Sequence, residues 1–331
     1  MNKPKPKVLL HGPITEYSAK VVDDVKAAIK AKLINGVVVS TYRDKHDVLK
    51  AISNFDNVVV VENEDVENPG FFNLNRQLNL VNAGLNLIES DELVIKLRLD
   101  QRINFPWSLL QIRKWASKTG YRGILTTNTF TRTDRLFHPS DMLLVGLQSE
   151  LRAYYSIAPN MATHVDTELA LATDIENREI TEAQLVEAWP ESALFYGYLL
   201  AKGERPPFTL AASLDALSRH VTVMPAFKFH LRWEKFYGGR LPLIPYKFQM
   251  RPFPGGPIED CECTYGPGNS FVIKVVAFSR FVVWHPYLDL IRNPHPGSYR
   301  LFAKLVGVWM RGFLAAPSET TRQIWRTLRG L

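Results

Sequence analysis

The chain is poor in cysteine, has no long uncharged apolar run, and in its last third is short of acids. Its 331 residues include two cysteines, Cys261 and Cys263, one residue apart. Such a pair makes no disulfide framework and supplies at most half of a tetrahedral zinc site, which suits a reducing cytoplasm. No stretch reaches the roughly 18 apolar residues that read as a membrane-spanning helix. Lys274 and Arg280 interrupt the best candidate. The opening "KVLLHGPI" offers too short an apolar run for a secretory leader, so a soluble or peripheral protein is expected. "HGPITEYSAK" also lacks the glycine-rich, basic loop of a sugar nucleotidyltransferase, which weighs against that alternative.

What is present is ordinary in bulk and uneven in charge. Hydrophobic residues make up 46% and charged residues 22%, values of a globular protein able to bury a sizeable core. Residues 1–220 hold 25 Lys and Arg against 27 Asp and Glu, whereas residues 221–331 hold 15 against 6. The expected organisation is a catalytic domain over 1–220 and a basic, aromatic-rich region over 221–331. Within "SYRLFAKLVGVWMRGFL" (298–314), Arg300, Lys304 and Arg311 share one side of a helix, opposite Phe302, Leu305, Trp309 and Phe313. "SETTRQIWRTLRG" repeats the scheme with Arg322, Arg326 and Arg329. Helices of this layout lie in a membrane interface. The expected partner of 298–331 is therefore an anionic inner-membrane surface. No recognised nucleic-acid motif accompanies the basic region, so a nucleic-acid-binding assembly factor is the weaker alternative.

Periodicity gives the fold class. Short apolar runs at 7–12, 36–41, 57–63 and 92–100 read as strands. Between them, 19–33, 45–55 and 73–90 carry helical spacing, as in Leu74, Leu78, Val81 and Leu85. This alternation predicts an α/β protein, a mixed, mostly parallel sheet flanked by helices. Further on, "WSLLQIRKWASK" reads as a helix, "GILTTNTFT" as a strand, and 181–202 as helical with a new start at Pro190. Residues 205–270 read as loops with short elements.

Ligands of such sheets bind outside the carboxyl ends of the strands. The first end, "HGPIT", offers His11, Gly12, Pro13 and Ile14 for a base or ribose; the second offers Arg43 and the third Glu62. Asn75 and Arg76 open the next helix, a natural phosphate locus. The fourth strand runs out to Arg98, Asp100 and Arg102, an acid for a bridging cation between two guanidiniums. From spacing alone, a structural ion pair has equal weight there. A base for an acceptor hydroxyl is sought among Glu191 in "WPES", Asp141 in "FHPSD" and, third, His138. A reaction that retains configuration needs no such base.

"LLHGPIT", "VVVSTYRD", "NPGFFNLNRQLNLVNAGL", "VIKLRLDQRI" and "FHPSDMLLVGLQSEL" resemble, in order over about residues 7–151, the WavE-like family of lipopolysaccharide and capsule biosynthesis proteins. The resemblance implies a GT-A-type glycosyltransferase with a Rossmann-like half that binds a nucleotide-sugar. It further implies a glycan or lipid-linked acceptor, a bacterial surface polysaccharide as product, and Mn²⁺ or Mg²⁺ as cofactor. In that class an Asp-x-Asp ends the fourth strand; here it reads Arg98-x-Asp100, so Asp100 alone is left to hold a metal and Arg98 to share its charge compensation.

Overall fold

The computed structural model describes residues 5–43, 55–132, 135–159, 178–224 and 226–234, with Lys50, Ser53, Leu169 and Ile175 as isolated positions. Most of the helix expected at 45–55 and all of the basic amphipathic segment at 298–331 lie outside the described residues.

The strands are β1 (Lys7–His11), β2 (Gly36–Tyr42), β3 (Val58–Asn63), β4 (Leu93–Arg98), β5 (Gln101–Arg102), β6 (Ile124–Thr127), β7 (Leu144–Leu147), β8 (Val221–Met224) and β9 (Arg232–Trp233). Seven of them form one sheet in the order β3-β2-β1-β4-β7-β6-β8, while β5 and β9 pair separately. β7 runs antiparallel to both neighbours and every other pairing in the large sheet is parallel. The expected mixed, mostly parallel sheet is thus the observed one. It continues past residue 220, where the charge balance changes, because β8 pairs with β6.

The described α-helices are α1 (Ser18–Lys30), α2 (Leu74–Leu85), α3 (Phe105–Thr119), α4 (Gln148–Tyr154), α5 (Glu182–Ala188), α6 (Pro190–Ala201) and α7 (Leu210–His220), with short 3-10 turns at Phe71–Asn73 and Ala226–Lys228. The segment over 205–270, read as loops with short elements, therefore contains a full helix of eleven residues. Thr209 caps α7 by accepting from the Ala212 amide at 3.2 Å. Proline, glycine and aromatics elsewhere in that long segment mask its eleven helical residues.

Strand alternation sorts the sheet into two unlike faces. Val8, Leu10, Val37, Val39, Ile95 and Leu97 point to one side and pack on Val21, Val22 and Val25 of α1 and on Leu109, Ile112 and Trp115 of α3. That side is dry. The alternate positions, Leu9, His11, Ser40, Lys96 and Arg98, point to the side where α2 lies. There Gly84 lets the helix come close: a Cβ at that position would sit 2.3 Å from Leu9 Cδ1. Buried polar side chains collect on this second face, and they collect at its carboxyl-end rim.

Candidate active site

Lys96 is the deepest member of the group. It sits in the middle of β4 with no solvent exposure, among the largest fully buried side chains of the protein. A lone buried ammonium is costly, so its partners decide whether it is tolerated. Its Nζ donates to the Asp141 carbonyl at 2.5 Å. The same nitrogen lies 5.7 Å from the centre of the Tyr155 ring. Burial lowers the Lys96 pKa to about 8, against the opposing pull of the Asp141 carboxylate and, more weakly, of Asp100 and Glu191.

Two acids stand above it. Asp141 lies in the loop before β7, three residues ahead of that strand. Its Oδ2 accepts from Gln77 Nε2 of α2 at 2.5 Å, and the same amide nitrogen is 3.2 Å from the Tyr155 hydroxyl at the end of α4. Glu191 stands in the first turn of α6, behind Pro190, which starts the helix because it needs no amide partner there. Its carboxyl is raised well above the ordinary range, first by burial and then by the Asp141 charge, with Lys96 acting in the opposite sense. His138 Nε2 approaches Glu191 Oε2 at 3.6 Å. The three residues considered as rival bases thus occupy one place.

His11 ends β1 directly beside Arg98 of β4 and Ser40 of β2. Its Nε2 is buried and has no hydrogen-bond partner among the described residues. Burial, then Lys96 and Arg98, hold this imidazole well below its usual pKa, so it is neutral at physiological pH. A neutral, unmet ring nitrogen at a strand end is fit to bind a ligand donor or acceptor. Gly12 follows with φ 120, a conformation that favours glycine, and its amide donates to the Ser40 carbonyl at 3.2 Å. Pro13 is exposed, and Ile14 packs against the dry core.

Arg98 and Asp100 form a bidentate pair, Nε to Oδ1 at 3.0 Å and Nη2 to Oδ2 at 3.1 Å. The indole Nε1 of Trp233 donates to the same Oδ2 at 2.8 Å, and the Arg98 guanidinium lies 5.3 Å from the Trp233 ring centre. Asp100 is only 7% exposed. An acid held in this way is the anchor of an arginine, and its oxygens are already engaged. The donor set at the end of β4 does not fit a divalent metal: its first acid is replaced by Arg98 and its second is bonded to that arginine. Among the described residues, no three His, Cys, Asp or Glu side chains come together as metal ligands.

The remaining expected donor residues are scattered around the rim. Arg43 pairs with Glu64, both exposed, and Glu62 is exposed on the edge strand β3. Arg76 is bidentate to Asp65 at 2.9 and 2.6 Å. Asn75 is buried and donates to the Asn68 carbonyl at 3.1 Å, bracing the turn at Gly70. Arg102 does not join the others: it is bidentate to Asp24 of α1 at 2.6 and 3.0 Å and reaches Glu234 at 3.4 Å. Its role is to tie β5 to α1.

Lys96, Gln77, Tyr155 and Trp233 are the members that sequence reasoning did not single out as functional. Only Lys96 left a signal, a lysine in the middle of a continuous apolar strand. The other three become visible when the chain is folded.

The sequence matches no family model and no curated protein. Solved structures with a partial likeness include 4-diphosphocytidyl-2C-methyl-D-erythritol synthase, at 13% identity and a TM-score of 0.32 over 48% of this chain and 82% of that one. The galactosyltransferase LgtC, in complex with donor and acceptor sugar analogs, gives 11% and 0.31 over 44% and 59%. Glucosyl-3-phosphoglycerate synthase from Mycobacterium tuberculosis, in complex with Mn²⁺, uridine diphosphate and glucosyl-3-phosphoglycerate, gives 15% and 0.31 over 45% and 59%. Overlaps of this size carry no argument about activity.

Proposed function

We propose that the protein is a glycosyltransferase that moves a sugar from a nucleotide-sugar donor to a glycan or lipid-linked acceptor, in the synthesis of a bacterial lipopolysaccharide or capsule. The observation that carries this reading is the polar cluster on the inner face of β4, with the Lys96 Nζ on the Asp141 carbonyl at 2.5 Å and His138 Nε2 3.6 Å from Glu191 Oε2. A transferase needs groups for a departing phosphate and a base for an incoming hydroxyl, side by side. His11 and Arg98 offer the first and Glu191 with Asp141 the second. The WavE-like sequence pattern supports the same reading, and Gly12, Arg43, Glu62, Asn75 and Arg76 around the rim are the residues we assign to the rest of the donor.

In the inverting course, the acceptor oxygen attacks the anomeric carbon and its proton passes to the Glu191 carboxylate. The bond from that carbon to the diphosphate oxygen breaks, and its electron pair leaves with the nucleoside diphosphate. Asp100 spans two of the N–H groups of Arg98, so the Nη1 edge faces the phosphate with its orientation fixed. Glu191 is suited to the base role because burial and Asp141 make it more basic than an exposed carboxylate. Asp141 holds the acceptor hydroxyls.

Among the described residues no helix is long and apolar enough to cross a membrane. We assign the lipid contact to 298–331, on the cytoplasmic face of the inner membrane, where a lipid-linked acceptor is found. The test is a nucleotide-release screen over UDP-, GDP- and CMP-sugars, with and without Mn²⁺ and Mg²⁺. Release with one donor supports the reading. Pyrophosphate formed from a nucleoside triphosphate and a sugar phosphate, with no transfer, would replace it with a nucleotidyltransferase.

A further inference from the structure

α3 leaves two large apolar side chains in water. Trp107 is 46% exposed and Leu110 51% exposed, one turn apart on the same helix. Scattered apolar residues are ordinary on a surface. Val59, Phe72 and Leu87 are exposed too, but no two of these three share an element. Trp107 and Leu110 are neighbours by helical spacing, and the following turns continue their stripe with Lys114 and Lys118, flanked by Arg113, all exposed. The opposite side of the helix buries Ser108, Leu109, Ile112 and Trp115. The outer face is therefore apolar in its first half and cationic in its second.

The charge of this face is written in the sequence. From Gln101 to Thr133 the chain has no acid, its longest such run, while Arg102, Arg113, Lys114, Lys118, Arg122 and Arg132 supply cations. α1, packed beside α3, carries Lys20, Lys26 and Lys30 with Asp23 and Asp24, and Asp24 is already bonded to Arg102. The turn at Ala226–Lys228 adds Lys228, and the His230 ring after it lies 6.2 Å from the Trp107 ring centre, edge-on. An anionic lipid surface answers both halves of the face, the headgroups meeting the cations and the acyl boundary the apolar pair. Nucleic acid answers the charge alone. A second copy of this chain would bring the same positive charge to the contact, which repels.

We propose that the outer face of α3 is a second lipid contact: Trp107 and Leu110 enter the interface of an anionic membrane, and Arg113, Lys114 and Lys118 lie against its headgroups. α3 starts just beyond the carboxyl end of β4, after the short β5, so its apolar first half stands at the end of the sheet where the candidate site lies. Docking through it brings that site to the surface that holds a lipid-linked acceptor. This consequence rests on the transferase reading; the lipid contact itself does not. A face of this size binds weakly, because affinity grows with the apolar area buried and the number of cations. Its loss is read as a change in affinity.

The experiment is co-sedimentation of the full chain with phosphatidylcholine vesicles, with and without phosphatidylglycerol. Trp107→Ser with Leu110→Ser removes the apolar half; Lys114→Gln with Lys118→Gln removes two charges. Leu87→Ser, just past α2 on the other face of the sheet, is the control. Each α3 pair should weaken binding to the anionic vesicles by about 10-fold or more, and Leu87→Ser should leave it unchanged. All these side chains are exposed, so the melting temperature should stay near that of the wild type; where one pair does not fold, the other decides. Wild-type affinity in either folded pair, or an equal loss in Leu87→Ser, overturns the proposal. Self-association abolished by the serine pair, with vesicle binding intact, would replace it with a contact between copies. DNA binding lost in the glutamine pair, with vesicle binding intact, would replace it with a nucleic-acid surface. No donor is needed for these measurements. A protein that binds vesicles through α3 yet transfers no sugar keeps this contact and rejects the transferase, and one that transfers sugar while its vesicle binding ignores the α3 changes rejects this contact alone.

Discussion

Gln77 of α2 and Asp141 of the β6–β7 connection, 64 positions apart, meet side chain to side chain at 2.5 Å. This bond aims one of the two acids and leaves the Lys96 ammonium to its backbone. Gln77→Leu preserves volume and removes the amide. We expect kcat to fall about 10- to 100-fold with KM little changed, since misplacing a catalytic group by about 1 Å has effects of that order. Steady-state kinetics on the identified donor measures it, and unaltered turnover would remove Asp141 from the reaction.

Glu191→Gln should lower turnover by about 10²- to 10⁴-fold, the usual worth of a general base. The same change has a signature in stability. The Glu191 carboxyl is raised in the folded protein, so the folded state keeps a proton that the unfolded chain has lost. Its contribution is full below the unfolded value of about 4.3 and is lost as pH rises through the folded value. Relative to the wild type, Glu191→Gln should therefore gain thermal stability between about pH 5 and about pH 8. Thermal unfolding at the two pH values checks it; a constant difference would mean an unperturbed carboxyl.

Asp100→Asn tests the arginine anchor against a metal site. Loss of the charge on a carboxylate held by Arg98 and Trp233 should destabilise the fold by about 2 kcal/mol, as for hydrogen bonds to charged groups. Denaturant unfolding gives that value. Added Mn²⁺ or Mg²⁺ should leave the melting temperature of the wild type where it is. A rise with metal in the wild type that disappears in Asp100→Asn would show that Asp100 opens to hold an ion.

Deleting residues 298–331 should release the protein from anionic vesicles and spare donor hydrolysis. Co-sedimentation with phosphatidylglycerol-containing vesicles reads it directly. Equal binding by the truncated and full chains would place the lipid contact elsewhere.

Most of the fold was legible because period-2 and period-3.6 apolar patterns are local. The parallel strands with their α1 and α2 crossovers follow from such runs as "GVVVST" and from the stripe Leu74, Leu78, Val81 and Leu85. α7 was hidden by the composition of its surroundings. The site was half legible. Asp141, Glu191 and His138 were found as separate acids and a histidine near turns, but their meeting is a tertiary event brought about by β7 returning antiparallel beside β4. The same limit applies to Asp100: its position at the strand end is written in "KLRLD", whereas the Trp233 indole that binds it arrives 133 residues later.

The most direct test of the account is single-turnover sugar transfer with the donor found in the screen, comparing wild type with Asp141→Asn and Glu191→Gln. The account predicts that both variants bind the donor as the wild type does and that transfer collapses in each. Transfer at the wild-type rate in both would place the chemistry outside this cluster.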